Sequence, residues 1–461
     1  MSSYNREDIL SIIQFAQQLV GKPLREVCNP EIINHGYSGK GNFGQILEDY
    51  YFKYKPNSDS RADFHEVGLE VKSTALKKLK NNELRAKERL VLNIINYKEL
   101  VDQDFETSTF FEKNAHLLLI FYLYERGVNV LDLIVKLVGE WKFPETDLEI
   151  IRKDWELIKS KVISGKAHEL SEGDTIYLGA CTKGGKGGNP RPQPNSTILA
   201  KQRAFSFKQG YLNYIIDFLT NTTFDNEINI IDDKSLLVEK SFEEIVLEKF
   251  QPYIGLTFEK IAQQLNFVAV LSQPKSMYSL LTNAILGLKN RGEFVEFKKA
   301  GIQIKTVRLS SENMPREDIS FPAFEYLELV EEEWEESELL GYLESKFLFV
   351  FYKENGNNLV LDKVKFWNMP QDDIEEAKKV WEHTIELIDA GKIVRSIQNG
   401  RRVTNFSGSR QNKVLHVRPH ALNANDTYPL PIMDIVTGLK EYTKQSFWFN
   451  KKYIKDFIYS G

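Results

Sequence analysis

Apolar positions recur at helical spacing in REDILSIIQFAQQLV (6–20), TDLEIIRKDWELIKSKVISG (146–165) and DDIEEAKKVWEHTIELIDAG (372–391). The last two end at glycine, the residue that best tolerates the left-handed turn closing a helix. Short runs rich in branched and aromatic residues predict strands: HEVGLEVKST (65–74), AHLLLIFYLY (115–124), VLDLIVKLV (130–138) and KFLFVFYK (346–353). Helices and strands alternate, which places the chain in the α/β class with mixed α+β character.

The pattern repeats once, at a spacing of roughly 230 residues. Trp141-Lys-Phe-Pro144 is followed by Trp155-Glu and then Gly165-Lys166. Trp367-Asn-Met-Pro370 is followed, at the same intervals, by Trp381-Glu and Gly391-Lys392. Upstream, HLLLIFYLYERGVNVLD pairs with KFLFVFYKENGNNLVLD; downstream, AFSFKQGYLNYI pairs with SFWFNKKYIKDF. Two related domains are expected, over 1–220 and 246–461, joined by a polar, acidic linker over 221–245. The four tryptophans at the matched positions are expected in the core.

Composition narrows the class. The chain has 461 residues, 42% hydrophobic and 27% charged, as in a globular protein of two or three domains. It contains no long apolar run and begins without a secretory pattern. With two cysteines, Cys28 and Cys181, it has no disulfide framework, so a cytoplasmic location is expected. The formal net charge of -5 argues against a nonspecific coat for nucleic acid, yet the charge is segregated. Lys72, Lys77, Lys78, Lys80, Arg85, Lys87 and Arg89 form a basic run, and LELVEEEWEESE an acidic one. Each run taken alone reads first as a solvated face.

The sharpest local signal is SRADFHEVGLEVKST. On a strand Glu70 and Lys72 point to one face, with Asp63 entering from the preceding turn. Two carboxylates and an ammonium suit phosphodiester hydrolysis: hard oxygens hold magnesium, and a lysine orients the attacking water. Glu48, in GNFGQILED, adds an acid, and Lys87 a further cation. In the second half, EFVEFKKAGIQIKTVRL aligns Glu296 with Asp63, Gln303 with Glu70 and Lys305 with Lys72. Leu286 falls opposite Glu48. That copy keeps one carboxylate of the set, and a magnesium site so reduced should bind poorly.

These residues resemble the MutH-type mismatch-repair endonucleases and their two-domain relatives, the Sau-type restriction enzymes that cut GATC, within the PD-(D/E)xK superfamily. Asp63-x6-Glu70-Val71-Lys72 looks like the family triad, with Ala62 where the superfamily name has Pro. Gly44-Gln45-Ile46-Leu47-Glu48 looks like its GxxLE motif, and KERLVLNIINY, from Lys87, like the segment carrying its further active-site lysine. CTKG, with Lys183, stands where the base-reading loop would be, and KQRAFSFKQGY resembles the DNA-contacting segment. The loop's arginine and proline are replaced by Cys181 and Thr182, whereas the second half keeps Arg418-Pro419 in HVRPH. The Gly- and Pro-rich stretch 183–194 reads either as a surface loop or as one that orders on DNA, and lacks a Walker pattern.

The resemblance implies two tandem restriction-endonuclease-like (MutH-like) domains. It implies Asp63, Glu70, Lys72, Glu48 and Lys87 as catalytic residues, and Asp63, Glu70 and Val71 as metal ligands for Mg2+. It implies Lys183, Arg203, Lys208, Tyr211, Arg418 and His420 as DNA contacts. The activity implied is double-strand cleavage at 5′-GATC-3′, with a catalytically inactive second domain binding another copy. The implied partners are double-stranded DNA containing GATC, a cognate DNA methyltransferase, and a second chain, because a palindrome needs two active sites. Two alternatives stand beside it: a mismatch-repair nickase, and a noncatalytic GATC-binding regulatory protein.

Overall fold

The computed structural model describes residues 4–28, 42–54, 61–79, 81–183, 189–222, 227–267, 277–288 and 292–461. The chain divides into two compact units. One holds residues 1–242 together with 292–301; the other holds 243–291 and 302–461. Among the described residues no helix is long and apolar enough to cross a membrane.

In the first unit, helix α1 (Ile9–Gln17) is capped by the Asp8 side chain, which accepts from Leu10 N–H. Helix α2 (Asn42–Ile46) precedes a four-stranded sheet in the order β2-β1-β4-β5. Its strands are β1 (Glu70–Lys78), β2 (Leu84–Ala86), β4 (His116–Leu123) and β5 (Val135–Lys142). β1 and β4 run parallel, with Glu70 opposite Leu117 and Lys72 opposite Leu119. β4 is the apolar strand that the sequence predicts, and Leu117 to Phe121 are fully buried. The expected strands at 65–74 and 130–138 are shifted. Residues 65–69 form the turn before β1, closed by Gly68 at φ +64, and Val130–Asp132 is a 3-10 turn before β5.

A second sheet is ordered β3-β7-β6, from β3 (Leu90–Ile94), β6 (Leu178–Thr182) and β7 (Arg203–Phe207). Helix α3 (Thr109–Asn114) leads into β4. Helix α4 (Glu145–Ile163) buries Ile150, Ile151, Trp155, Ile158 and Val162. It also buries Asp154, whose carboxylate accepts from three backbone N–H groups, those of Ile176, Tyr177 and Leu178. Gly165 ends this helix at φ +70, and a Cβ there would lie 2.6 Å from the Asn195 carbonyl. Helix α5 (Gln209–Leu219) follows β7.

Part of the expected linker is structured: β8 (Glu227–Ile228) pairs in parallel with β9 (Glu293–Phe294). β9 continues into helix α6 (Val295–Ala300), so residues 292–301 return to the first unit. There Lys299 Nζ stands 2.8 Å from the buried Asp147 carboxylate, which also accepts from Tyr211. Lys298 stands 3.2 Å from Asp217, which pairs with Arg85 of β2. Gly210 of α5 lies so close to the Lys298 carbonyl that no Cβ fits.

The second unit rebuilds the first in the same register. β10 (Gln303–Leu309), β12 (Phe347–Asn355) and β13 (Asn358–Trp367) form one sheet, and β11 (Ile319–Phe324), β16 (Leu415–Pro419) and β19 (Gln445–Phe449) another. Hairpins β14 (Val394–Gln398) with β15 (Arg401–Thr404), and β17 (Thr427–Pro429) with β18 (Glu441–Thr443), complete it. Trp367 faces Phe347 as Trp141 faces Leu117. Helix α7 (Gln371–Asp389) starts after Pro370 as α4 starts after Pro144, and each buries its tryptophan. Tyr453 donates to Asp373 at 2.7 Å, as Tyr211 does to Asp147 at 3.1 Å.

Candidate active site

Glu70 is the first residue of β1 and is almost fully buried. Gly68, in the left-handed region, lets the preceding turn fold back so that Phe64 bridges to Leu69. This brings Asp63 alongside the strand. The hydrogen bonds interlock: Asp63 N–H donates to Glu70 Oε2 at 3.0 Å, and Val71 N–H donates to Asp63 Oδ2 at 3.0 Å. Lys72 Nζ donates to the other Glu70 oxygen at 2.5 Å. The triad expected from spacing is therefore assembled in space.

Lys113 also belongs here. Its Nζ stands 3.6 Å from Glu70 Oε1. It lies in α3, three residues before β4, and the parallel pairing sets the start of β4 beside the start of β1. No sequence spacing links it to Asp63 or Glu70, so only the strand pairing reveals it. Lys87, the expected second lysine, is placed elsewhere. Its backbone N–H bonds to the Ala75 carbonyl beyond Lys72 on β1, and its ammonium sits 4.6 Å from the centre of the Tyr124 ring.

Glu48 lies in the π-helical turn Leu47–Phe52 that continues α2. Its carboxyl is pushed up to about 7, first by burial and then by the Asp63 charge, with Lys72 opposing. Burial also raises Glu70, while Lys72 and Lys113 pull it down. Tyr54 faces the same group: burial pushes its phenol far up, and Asp63, Glu48 and Glu70 push the same way. The glycine of GxxLE has a packing reason, since a Cβ on Gly44 would lie 3.2 Å from Ser73 Oγ on β1. The helix carrying Glu48 can thus approach the strand carrying Glu70.

Glu48 and Glu70, both raised first by burial and further by the Asp63 charge, stand near lysines in an acid group that a hard cation would relieve. Among the described residues, no three His, Cys, Asp or Glu side chains are grouped so as to hold a metal ion by themselves. The donor set fits an ion such as Mg2+, which takes one or two carboxylates and keeps its waters.

The second unit lacks this set. Gln303 opens β10 opposite Phe347, as Glu70 opens β1 opposite Leu117. Lys305 takes the place of Lys72, and burial alone pulls its ammonium down. Glu296, matched to Asp63 by sequence, lies in the segment that belongs to the first unit, where its carboxylate accepts from Ile230 and Ile231 N–H.

Three expected DNA contacts are interior. Arg203 is buried and donates to the Ala180 carbonyl at 2.5 Å. Lys208 is buried against the Thr175 carbonyl, and Tyr211 is fully enclosed on Asp147. Their charges and hydroxyl satisfy the core, because the AFSFKQGY segment is a central strand running into a packed helix. Lys183 follows β6 at the surface, and residues 184–188 of the adjoining Gly-rich stretch lie outside the described residues. In the second unit Arg418 and His420 are exposed at the end of β16. Arg418 lies 4.5 Å over the Trp448 ring and 2.5 Å from Asp318, and the His420 ring meets the Trp448 edge. Matched by register, Cys181 occupies the Arg418 position but is buried.

The family model for the DNA mismatch repair enzyme MutH matches residues 52–154, the span holding Asp63, Glu70, Lys72 and Lys113. The chain is 38% identical to the Type II restriction enzyme Sau3AI of Staphylococcus aureus, across 95% of this chain and 96% of that one. The chain belongs to the MutH/Sau-type endonuclease family. Its class is that of the type II site-specific deoxyribonucleases, and the fold expected from the resemblance is the family's restriction-endonuclease-like fold.

Proposed function

We propose that this chain is a Mg2+-dependent restriction endonuclease that cuts both strands of DNA at 5′-GATC-3′. Its second unit binds a further GATC copy without cutting. The observation that carries this reading is the interlock of Asp63, Glu70 and Lys72 at the head of β1.

Asp63, Glu70 and the Val71 main chain would hold the cation. When bound, it neutralises the scissile phosphate and lowers the pKa of water. Lys72 holds its ammonium at Glu70, where it orients an attacking water, and Lys113 adds positive charge for the developing oxyanion. Glu48 holds or releases a proton near neutral pH. Lys113 takes the role expected of Lys87. Lys183, Arg418 and His420 remain the proposed DNA contacts. The palindromic target calls for two chains on DNA, and protection of host DNA calls for a cognate methyltransferase in a shared cytoplasm.

The test is a digest of unmethylated plasmid with Mg2+, wild type beside Glu70→Gln, with fragment ends sequenced. Linear fragments ending at GATC, absent in the variant, are expected. Nicked circles alone would favour strand-selective nicking, and an uncut plasmid still bound in a gel shift would favour a noncatalytic regulator.

A further inference from the structure

The second unit carries a basic arm with no counterpart in the first. From residue 390 to residue 425 the chain holds Lys392, Arg395, Arg401, Arg402, Arg410, Lys413 and Arg418, and no Asp or Glu. The matching stretch after α4 carries Glu169, Glu172 and Asp174 and folds into two 3-10 turns. In the second unit it becomes the β14–β15 hairpin. Gln398 pairs with Arg401 and Ile397 with Arg402 around a two-residue turn. Asn399 and Gly400 both have positive φ, 50° and 71°, the type I′ geometry that matches strand twist and makes a stiff ribbon.

The base of the ribbon is fixed. Val394 N–H donates to the buried Asp434 carboxylate at 2.9 Å, and Asn405 bonds back to the Ile393 and Lys392 carbonyls. Above the base, Arg395 and Arg401 are exposed, as is Arg410 beyond it. None of these three has a carboxylate partner among the described residues, whereas Lys413 and Arg418 are paired to Asp373 and Asp318. Ile397, near the tip, is 56% exposed. The ribbon borders the surface that presents Arg418 and His420. Arg402 lies 5.1 Å over the Tyr442 ring in β18, and the Lys444 carbonyl two residues on accepts from His420 N–H.

We infer that the β14–β15 hairpin is a DNA-gripping arm, whose Arg395 and Arg401, with Arg410, neutralise backbone phosphates beside the duplex held at Arg418 and His420. This rests on the second unit being a DNA-binding module. A chain of net charge -5 gains no general attraction for DNA, so an acid-free arm concentrates the attraction at one place. Phosphate contacts position the protein without reading sequence. A ribbon already rigid before binding loses little freedom on docking.

The test uses the full chain carrying Glu70→Gln, bound to labelled duplexes with and without GATC across a salt series. Arg395→Ala, Arg401→Ala and Arg410→Ala together should reduce the slope of log affinity against log salt by about 2 to 3, at about 0.9 per contact. Affinity should fall by a similar factor on both duplexes, and the triple lysine replacement should keep the slope. If the alanine variant leaves the slope unchanged while Arg418→Ala weakens binding, the arm is a solvated face and the inference fails, with the DNA-binding reading intact. If neither variant changes binding, the reading of the second unit fails and the inference with it.

Discussion

Glu70 and Gln303 occupy one position in two copies of a sheet: each opens the strand that runs parallel to the apolar strand, opposite Leu117 and Phe347 respectively. The exchange of a carboxylate for an amide at the same backbone site separates an acid cluster from a neutral one. Restoring that one group should not restore a site. Gln303→Glu placed in a Glu70→Gln chain is expected to remain without cleavage, because Glu296 is held by Ile230 and Ile231 N–H. Recovery of plasmid cutting by this double variant would overturn the account of the second unit.

Lys113 and Lys87 separate geometry from sequence proximity. Removing Lys113, 3.6 Å from Glu70, should slow single-turnover cleavage by about 10²–10³-fold, the usual loss of one well-placed stabilising donor. Lys87→Ala, which removes a cation from Tyr124, should stay within a few-fold of wild type. Equal losses in both would return Lys87 to the site.

The raised Glu48 carboxyl makes cation binding compete with protons. A folded-state value of about 7, above the ordinary carboxylate value of 4.5, favours the folded state at low pH. That contribution is lost as pH rises from about 4.5 through about 7, where the buried group ionises against the Asp63 and Glu70 charges with only partial relief from Lys72. Calcium should therefore raise the melting temperature more at pH 8 than at pH 6, and Glu48→Gln should flatten the difference. A calcium shift that grows toward acid pH would contradict the arrangement.

Lys299 and Asp147 form a buried pair inside the first unit. Lys299→Met leaves the Asp147 charge with the Tyr211 hydroxyl as its one side-chain partner among the described residues and should cost about 3–5 kcal/mol in denaturant unfolding of that unit. Asp147→Asn added to it should recover most of the loss. A single variant as stable as wild type would mean that the pair is open to water.

Much of this was legible in the sequence. The tryptophan repeat (Trp141, Trp155 and Trp381 in the core, Trp367 half-buried against it), the helices starting after Pro144 and Pro370, and the Asp63, Glu70 and Lys72 group follow from local pattern, because periodicity and strand alternation are local properties. Lys113 was invisible, because a parallel strand pair joins residues that no short spacing connects. Arg203, Lys208 and Tyr211 are expected as DNA contacts from the resemblance of KQRAFSFKQGY to a DNA-contacting segment. Their burial depends on a sheet and helix that close around them. The return of residues 292–301 was equally hidden, since the segment reads as an interior part of the second half, matched to the turn before β1.

That return makes the two halves inseparable by a single cut. A fragment ending near residue 240 would lack Lys298 and Lys299, baring Asp147 and Asp217 and emptying the hollow at Gly210. A piece beginning there would carry away a helix whose side chains have their partners in what was discarded. Swapping halves between relatives would therefore call for a graft with three junctions, one near residue 242 and one on either side of residues 292–301.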